Sequence, residues 1–186
     1  MLLALDISTS CIGYAVFNEN GSLIELDYVK FNSKTSPSYF QRIEVMKKKM
    51  SHLLSFEITE IAIEEPLKKF KGKYSSADTI AKLNFFNGMV SVTLATHFKL
   101  EPAYYNVNNA RKTALPDLKI KKGGASSKHQ VWEKVVDLEP QINWKYGVRS
   151  RKLVEENYDM CDAYIVGRCH IDVIDRQKKK LIENAK

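Results

Sequence analysis

Cysteine and long hydrophobic runs are both scarce in this sequence. Its 186 residues include three cysteines, Cys11, Cys161 and Cys169. They form an odd set without a CxxC spacing, and each is expected in a strand or helix beside apolar residues. They read as reduced core thiols of an intracellular protein rather than as a disulfide framework. The opening MLLALDISTS is apolar, but it lacks a basic start and is interrupted by Asp6. Neither a signal peptide nor a membrane anchor is expected, which suggests a cytoplasmic, nucleoid or viral-replication setting. There is no internal repeat, and low complexity is hinted at only in KIKKGGASSK.

What remains is the composition of one ordinary globule. The hydrophobic fraction is 44%, and the length suits one core better than two. Lysine and arginine outnumber aspartate and glutamate by 29 to 22, for a net charge of +7. A polyanionic partner is compatible with that excess. Residues 1–174 are expected to form one domain, followed by a polar, basic tail over 175–186 that is mobile or weakly helical.

The order of elements follows from hydrophobic patterning. LLALDI and IGYAVF read as strands, the turn NENG ends in Asn-Gly, and SLIELDYVKF returns as a third strand, so an antiparallel meander opens the chain. Helical spacing predicts a helix over Ser38 to Ser55. EIAIEE is a short strand stopped at Pro66. A basic loop and a helix from Ser75 to Phe98 come next, and PAYYNV is a fifth strand. Helices are then expected over Asn108 to Ala114, Ser126 to Leu138 and Asn157 to Ile174. This order describes an α/β fold, a five-stranded mixed sheet with helices on both faces.

Four acids stand out against that plan. Asp159 and Asp162 are three residues apart, so on a helix they share a face that Ala163 and Val166 continue toward the core. Like charges on a partly buried surface require a metal, a basic partner or a shared proton. Along the first strand Asp6 shares a face with Ala4, and along IAIEE Glu64 shares a face with Ala62, whereas Glu65 points the other way. If those strands are neighbours and the last helix crosses their alanines, the four carboxylates meet. Such a cluster suits hard divalent cations, Mg²⁺ first and Mn²⁺ as a substitute. Two ions about 3.5–4 Å apart would support metal-assisted hydrolysis of a nucleic-acid strand. The bland reading of Asp159 and Asp162, acids favoured in a first helical turn by the helix dipole, has even standing when the pair is taken alone. Of the four histidines, His52, His97 and His170 read as helix-end residues rather than ligands, and His129 would come near DNA simply by following Lys128.

LALDISTSCIGYAVF, IAIEEP and YDMCDAYIVG, in this order, resemble the RuvC-like Holliday-junction resolvases of the ribonuclease H-like superfamily. SSADTIAKLN and NARKTAL…SSKHQV extend the likeness. The resemblance implies a ribonuclease H-like fold, catalysis by Asp6, Glu64, Asp159 and Asp162 around two Mg²⁺ ions, and a homodimer that cuts branched DNA, above all four-way junctions. Arg111 and Lys128 would hold the scissile strand, and Leu67, with Phe70 nearby, would prop the junction open. The sequence departs from the family at Pro66, in the longer PDLKIKKGG, and in EPQINWKYGVRSRKLVEEN before the final acids.

The loop LKKFKGKY interleaves Lys68, Lys69, Lys71 and Lys73 with Phe70 and Tyr74 directly after the glutamates. Lysines neutralise phosphates and aromatics stack on bases, so the loop is a candidate DNA contact. A nuclease of other specificity, acting on RNA–DNA hybrids or general branched DNA, would use the same acids. An actin-like nucleotide-binding domain would need a chain about twice as long. A non-catalytic junction binder would gain by losing negative charge near DNA.

Overall fold

A computed structural model of the protein describes residues 1–66 and 76–184. The sheet is built from β1 (Leu2–Ile7), β2 (Cys11–Phe17), β3 (Leu23–Lys30), β4 (Glu60–Glu64) and β5 (Ala103–Tyr105), in the order β3-β2-β1-β4-β5. The first three strands pair antiparallel, while β4 runs parallel to β1 and β5 parallel to β4. This is the expected mixed sheet with its meander first. The NENG turn closes through Asn18, whose carboxamide oxygen accepts from the backbone of Asn20 and Ser22, with Gly21 in the left-handed region at φ 75°. β5 is short because Pro102 supplies no N–H before it and Asn106 already caps the next helix, accepting from Asn108 N–H at 3.1 Å.

Two hydrophobic layers form because side chains alternate along the strands. Leu3, Leu5, Ile12, Tyr14 and Val16 face one side, where they pack against α1 (Tyr39–Lys49) and α2 (Ala77–Phe98). Leu2, Ala4, Ala15, Phe17 and Ala62 face the other. There they meet α3 (Val107–Ala114), α4 (Ser127–Leu138) and α5 (Glu156–Asn184).

Two helices differ from the expectation. Helical spacing predicts one helix over Ser38 to Ser55, yet α1 ends at Lys49 and a 3₁₀ turn covers Ser51–Ser55. The hydroxyls of Ser51 and Ser55 donate to the carbonyls of Lys48 and His52, competing with the helical ladder. At the other end, α5 continues past Ile174 to Asn184. Its extension has no glycine or proline and is rich in Arg, Gln, Lys, Leu and Glu, all good helix formers.

The placement of α5 governs everything that follows. Its residues Met160, Cys161, Ala163, Tyr164, Ile165 and Val166 are almost fully buried. At about 1.5–3 kcal/mol for each large apolar side chain, that burial can hold charged neighbours in place against their repulsion. Gly13 and Gly167 permit close contact: a Cβ on Gly13 would fall inside the backbone of Asp159, and one on Gly167 would strike Phe17 and Ala4.

Candidate metal centre

Asp6 is the last acid-bearing position of β1, on the face that α5 covers. In the β1–β2 register it stands opposite Gly13. Glu64 ends the adjacent parallel β4, one step beyond the Leu5–Ile63 pairing, and Tyr105 flanks it from β5. Asp162 enters from the first turns of α5 and is buried. One carboxylate oxygen from each of Asp6, Glu64 and Asp162 lies within 4.8 Å of the other two. Strand alternation, the parallel β1–β4 pairing and the glycine-permitted approach of α5 together produce this cluster.

Asp159 stands beside that trio. It is one helical turn before Asp162, with Cys11 against it and the ammonium of Lys128 4.0 Å from its Oδ1. Arg111 Nη2 donates to Asp162 Oδ1 at 2.6 Å. Both basic residues expected to hold DNA thus reach the acids themselves. The expected DNA contacts Leu67, Lys68, Lys69, Phe70, Lys71 and Lys73 lie outside the described residues.

The electrostatics match a site short of positive charge. Burial raises the Asp6 carboxyl well above the usual aspartate range, and Glu64, Asp162 and Asp159 add to the effect. Burial, reinforced by Asp162, raises Glu64 to about 7 against the pull of Arg111 and Lys128. Asp159 is raised more gently, by burial first, with Cys11 and Lys128 opposing. Glu64 Oε2 is buried with no hydrogen-bond partner. A buried carboxylate oxygen without a donor costs about 1–3 kcal/mol or more, which a bound cation would offset. Three clustered carboxylates, with an unsatisfied oxygen on Glu64, fit a divalent ion such as Mg²⁺.

Sequence reasoning missed Gly13, Cys11 and the Arg111–Asp162 pair. Gly13 could have been found by counting outward from the Ser8–Ser10 turn between β1 and β2, which sets it opposite Asp6. The other two depend on tertiary packing and left no local signal. His170 is not at a helix end: it is buried within α5, where Nε2 lies 2.6 Å from Glu60 Oε2 and Nδ1 2.8 Å from the Tyr105 hydroxyl. It ties α5 to β4 and β5 away from the acids. His129 contacts the Tyr158 hydroxyl through Nδ1 at 3.1 Å. The three cysteines are free and buried, as expected.

No protein-family model and no curated protein sequence matches the chain. Solved structures do. T. thermophilus RuvC in complex with a Holliday junction substrate is similar with a TM-score of 0.64 and 13% identity, covering 94% of this chain and 94% of that one. Another Thermus thermophilus RuvC structure gives 0.60 at 14% identity over 95% and 96%. Ydc2, the yeast mitochondrial Holliday junction resolvase, gives 0.56 at 14% identity over 92% of this chain and 77% of that one. The fold is the ribonuclease H-like fold of RuvC.

Proposed function

We propose that this protein is a Mg²⁺-dependent DNA endonuclease that resolves four-way or otherwise branched junctions by paired phosphodiester hydrolysis. The observation that carries the reading is the meeting of Asp6, Glu64 and Asp162 within 4.8 Å at one end of a RuvC-like sheet. The structural relatives support the substrate class, since one was solved with a Holliday junction substrate.

Asp6, Glu64 and Asp162 would hold the ions, with Asp159 completing the set. Bound Mg²⁺, or Mn²⁺ in its place, supplies an acidified water and neutralises charge on the phosphodiester. The chain's own groups do the rest. Arg111 neutralises Asp162 before loading and, displaced from it, would meet a non-bridging phosphate oxygen. Lys128 can do the same from beside Asp159. Gly13 and the packed face of α5 fix the spacing of the acids, so little reorganisation is needed when charge develops. The segment from Leu67 to Lys73 would contact the junction, with Lys68, Lys69, Lys71 and Lys73 on phosphates and Leu67 and Phe70 among unpaired bases.

Resolution needs two nicks related by symmetry, and a homodimer supplies them. An exposed apolar face supports that assembly: Phe40, Leu54, Phe85 and Val92 on and beside α1 and α2 are 74%, 56%, 59% and 66% exposed. No helix among the described residues is long and apolar enough to cross a membrane. The catalytic unit is assigned to residues 1–174.

The test is a product map. Labelled four-way junction, Y-fork, duplex and RNA–DNA hybrid are each incubated with Mg²⁺, Mn²⁺ or chelator. Paired nicks in the four-way junction, lost with chelator, are expected. Equal cutting of all DNA substrates, or preference for the hybrid, would replace the resolvase reading with a broader nuclease. No cutting of any substrate would end both.

A further inference from the structure

The segment between α4 and α5 folds into a small hairpin that the sheet-and-helix plan does not require. Tyr146 pairs with Leu153 in an antiparallel bridge. Gly147 N–H donates to Lys152 O at 2.8 Å, and Arg151 N–H to Gly147 O at 2.8 Å. The root is fixed by Asn157, a fully buried residue of α5 whose side chain accepts from Lys145 N–H at 3.0 Å. The same side chain donates to the carbonyls of Lys145 at 2.7 Å and Val154 at 2.9 Å. Trp144 stands edge-on against Trp132 of α4, with ring centroids 6.0 Å apart. Asn157 precedes Asp159 by two residues, so the hairpin is rooted beside the acids.

The tip is preformed by its own backbone hydrogen bonds. Gly147 brings the Ser150 hydroxyl close against its Cα, and that hydroxyl accepts from Lys152 N–H at 3.3 Å. Val148 is 98% exposed. Arg149, Arg151 and Lys152 are exposed, and none of them is ion-paired with a carboxylate among the described residues. Arg151 sits in the left-handed region at φ 51°, a conformation glycine adopts without steric cost. Backbone strain kept under a cation, next to two further cations, points to an anion that the charge serves.

We infer that the hairpin Lys145–Val154 is a clamp for the DNA backbone leaving the metal centre. Arg149, Arg151 and Lys152 bind successive phosphates, and Val148 rests on the adjoining sugar. The inference rests on the nuclease reading and adds a contact particular to this chain.

The test uses the full-length protein carrying Asp6→Asn, which prevents cleavage, and a fluorescently labelled four-way junction titrated from about 50 to 300 mM salt. The combined change Arg149→Ala, Arg151→Gly, Lys152→Ala should weaken binding at least about 10-fold and reduce the slope of log K against log salt by about 2–3. Arg151→Gly alone should raise Tm by relieving the backbone yet weaken binding, an opposition that a purely structural loop would not give. Binding of both variants with the parent's affinity and slope would overturn the clamp while leaving the nuclease intact. A parent protein that binds no DNA would overturn both.

Discussion

Arg111 and Asp162 form a 2.6 Å ion pair in which the carboxylate is 7% exposed and the guanidinium 25%. One partner of a mostly buried pair cannot be removed cheaply, because the other charge stays behind in a poor solvent. Arg111→Ala should therefore destabilise the metal-free protein by about 3 kcal/mol. Mg²⁺ should restore much of that loss by taking over the neutralisation of Asp162. Thermal melts with chelator and with Mg²⁺ measure both parts. A variant as stable as the parent in chelator would show that the pair contributes nothing.

The raised carboxyls set the pH dependence. Glu64 holds its proton up to about 7 in the folded chain, whereas unfolded it would release it near 4.5. The native state therefore binds more protons between those values. The stabilisation is complete below about 4.5 and lost as pH rises through 7, and Asp6, raised in the same direction, adds to it. Without metal, Tm should fall between pH 5 and pH 8. Mg²⁺ should raise Tm more at pH 8 than at pH 5, since it competes with fewer protons there. Glu64→Gln should flatten the profile, raise the metal-free Tm at pH 8 by about 5 °C and reduce strand scission at least about 10³-fold. A parent melt independent of pH over this window would contradict the account.

Gly13 allows no side chain. Its Cβ would enter the Asp159 backbone, which belongs to a packed helix rather than a flexible side chain. Gly13→Ala should cost about 2–4 kcal/mol and, in whatever fraction stays folded, weaken Mg²⁺ binding by moving the helix that carries Asp162. Gly88, with open space around it, is the matched control, and Gly88→Ala should be tolerated. Denaturant unfolding together with metal titration separates lost stability from a displaced helix.

The apolar face of α1 and α2 can be tested by charge. Phe85→Glu combined with Val92→Glu should convert a dimer to a monomer in sedimentation or light scattering. Tm of the monomer should change little, because both side chains are more than half exposed. Junction nicking should persist with the two cuts no longer coupled. A parent that is monomeric at all concentrations would remove the symmetric scheme.

Much of this arrangement was legible in the sequence because it depends on short-range periodicity. Asp6 shares a strand face with Ala4 and Glu64 with Ala62, and a spacing of two carries that information without knowledge of the fold. The DxxD pair was legible for the same reason at helical spacing. Its two members nevertheless part company: Asp162 joins the strand acids, and Asp159 turns toward Cys11 and Lys128. That distinction depends on how α5 is rotated on the sheet, which Gly13 and Gly167 decide through contacts with residues far away in sequence. The break after α1 was missed because helical spacing continues through Met50 and Leu53 while the serine hydroxyls withdraw the carbonyls. Arg111 was assigned to DNA by family likeness, but its bond to Asp162 arises where α3 packs against α5, and no local pattern encodes that.

The cage draws its oxygens from the first strand, the fourth strand and the final helix. A polypeptide interrupted in translation before α5 emerges carries two of the three clustered donors and lacks the helix that covers them. On the nuclease reading, strand cutting would therefore begin only once α5 has packed onto the sheet and closed the cluster.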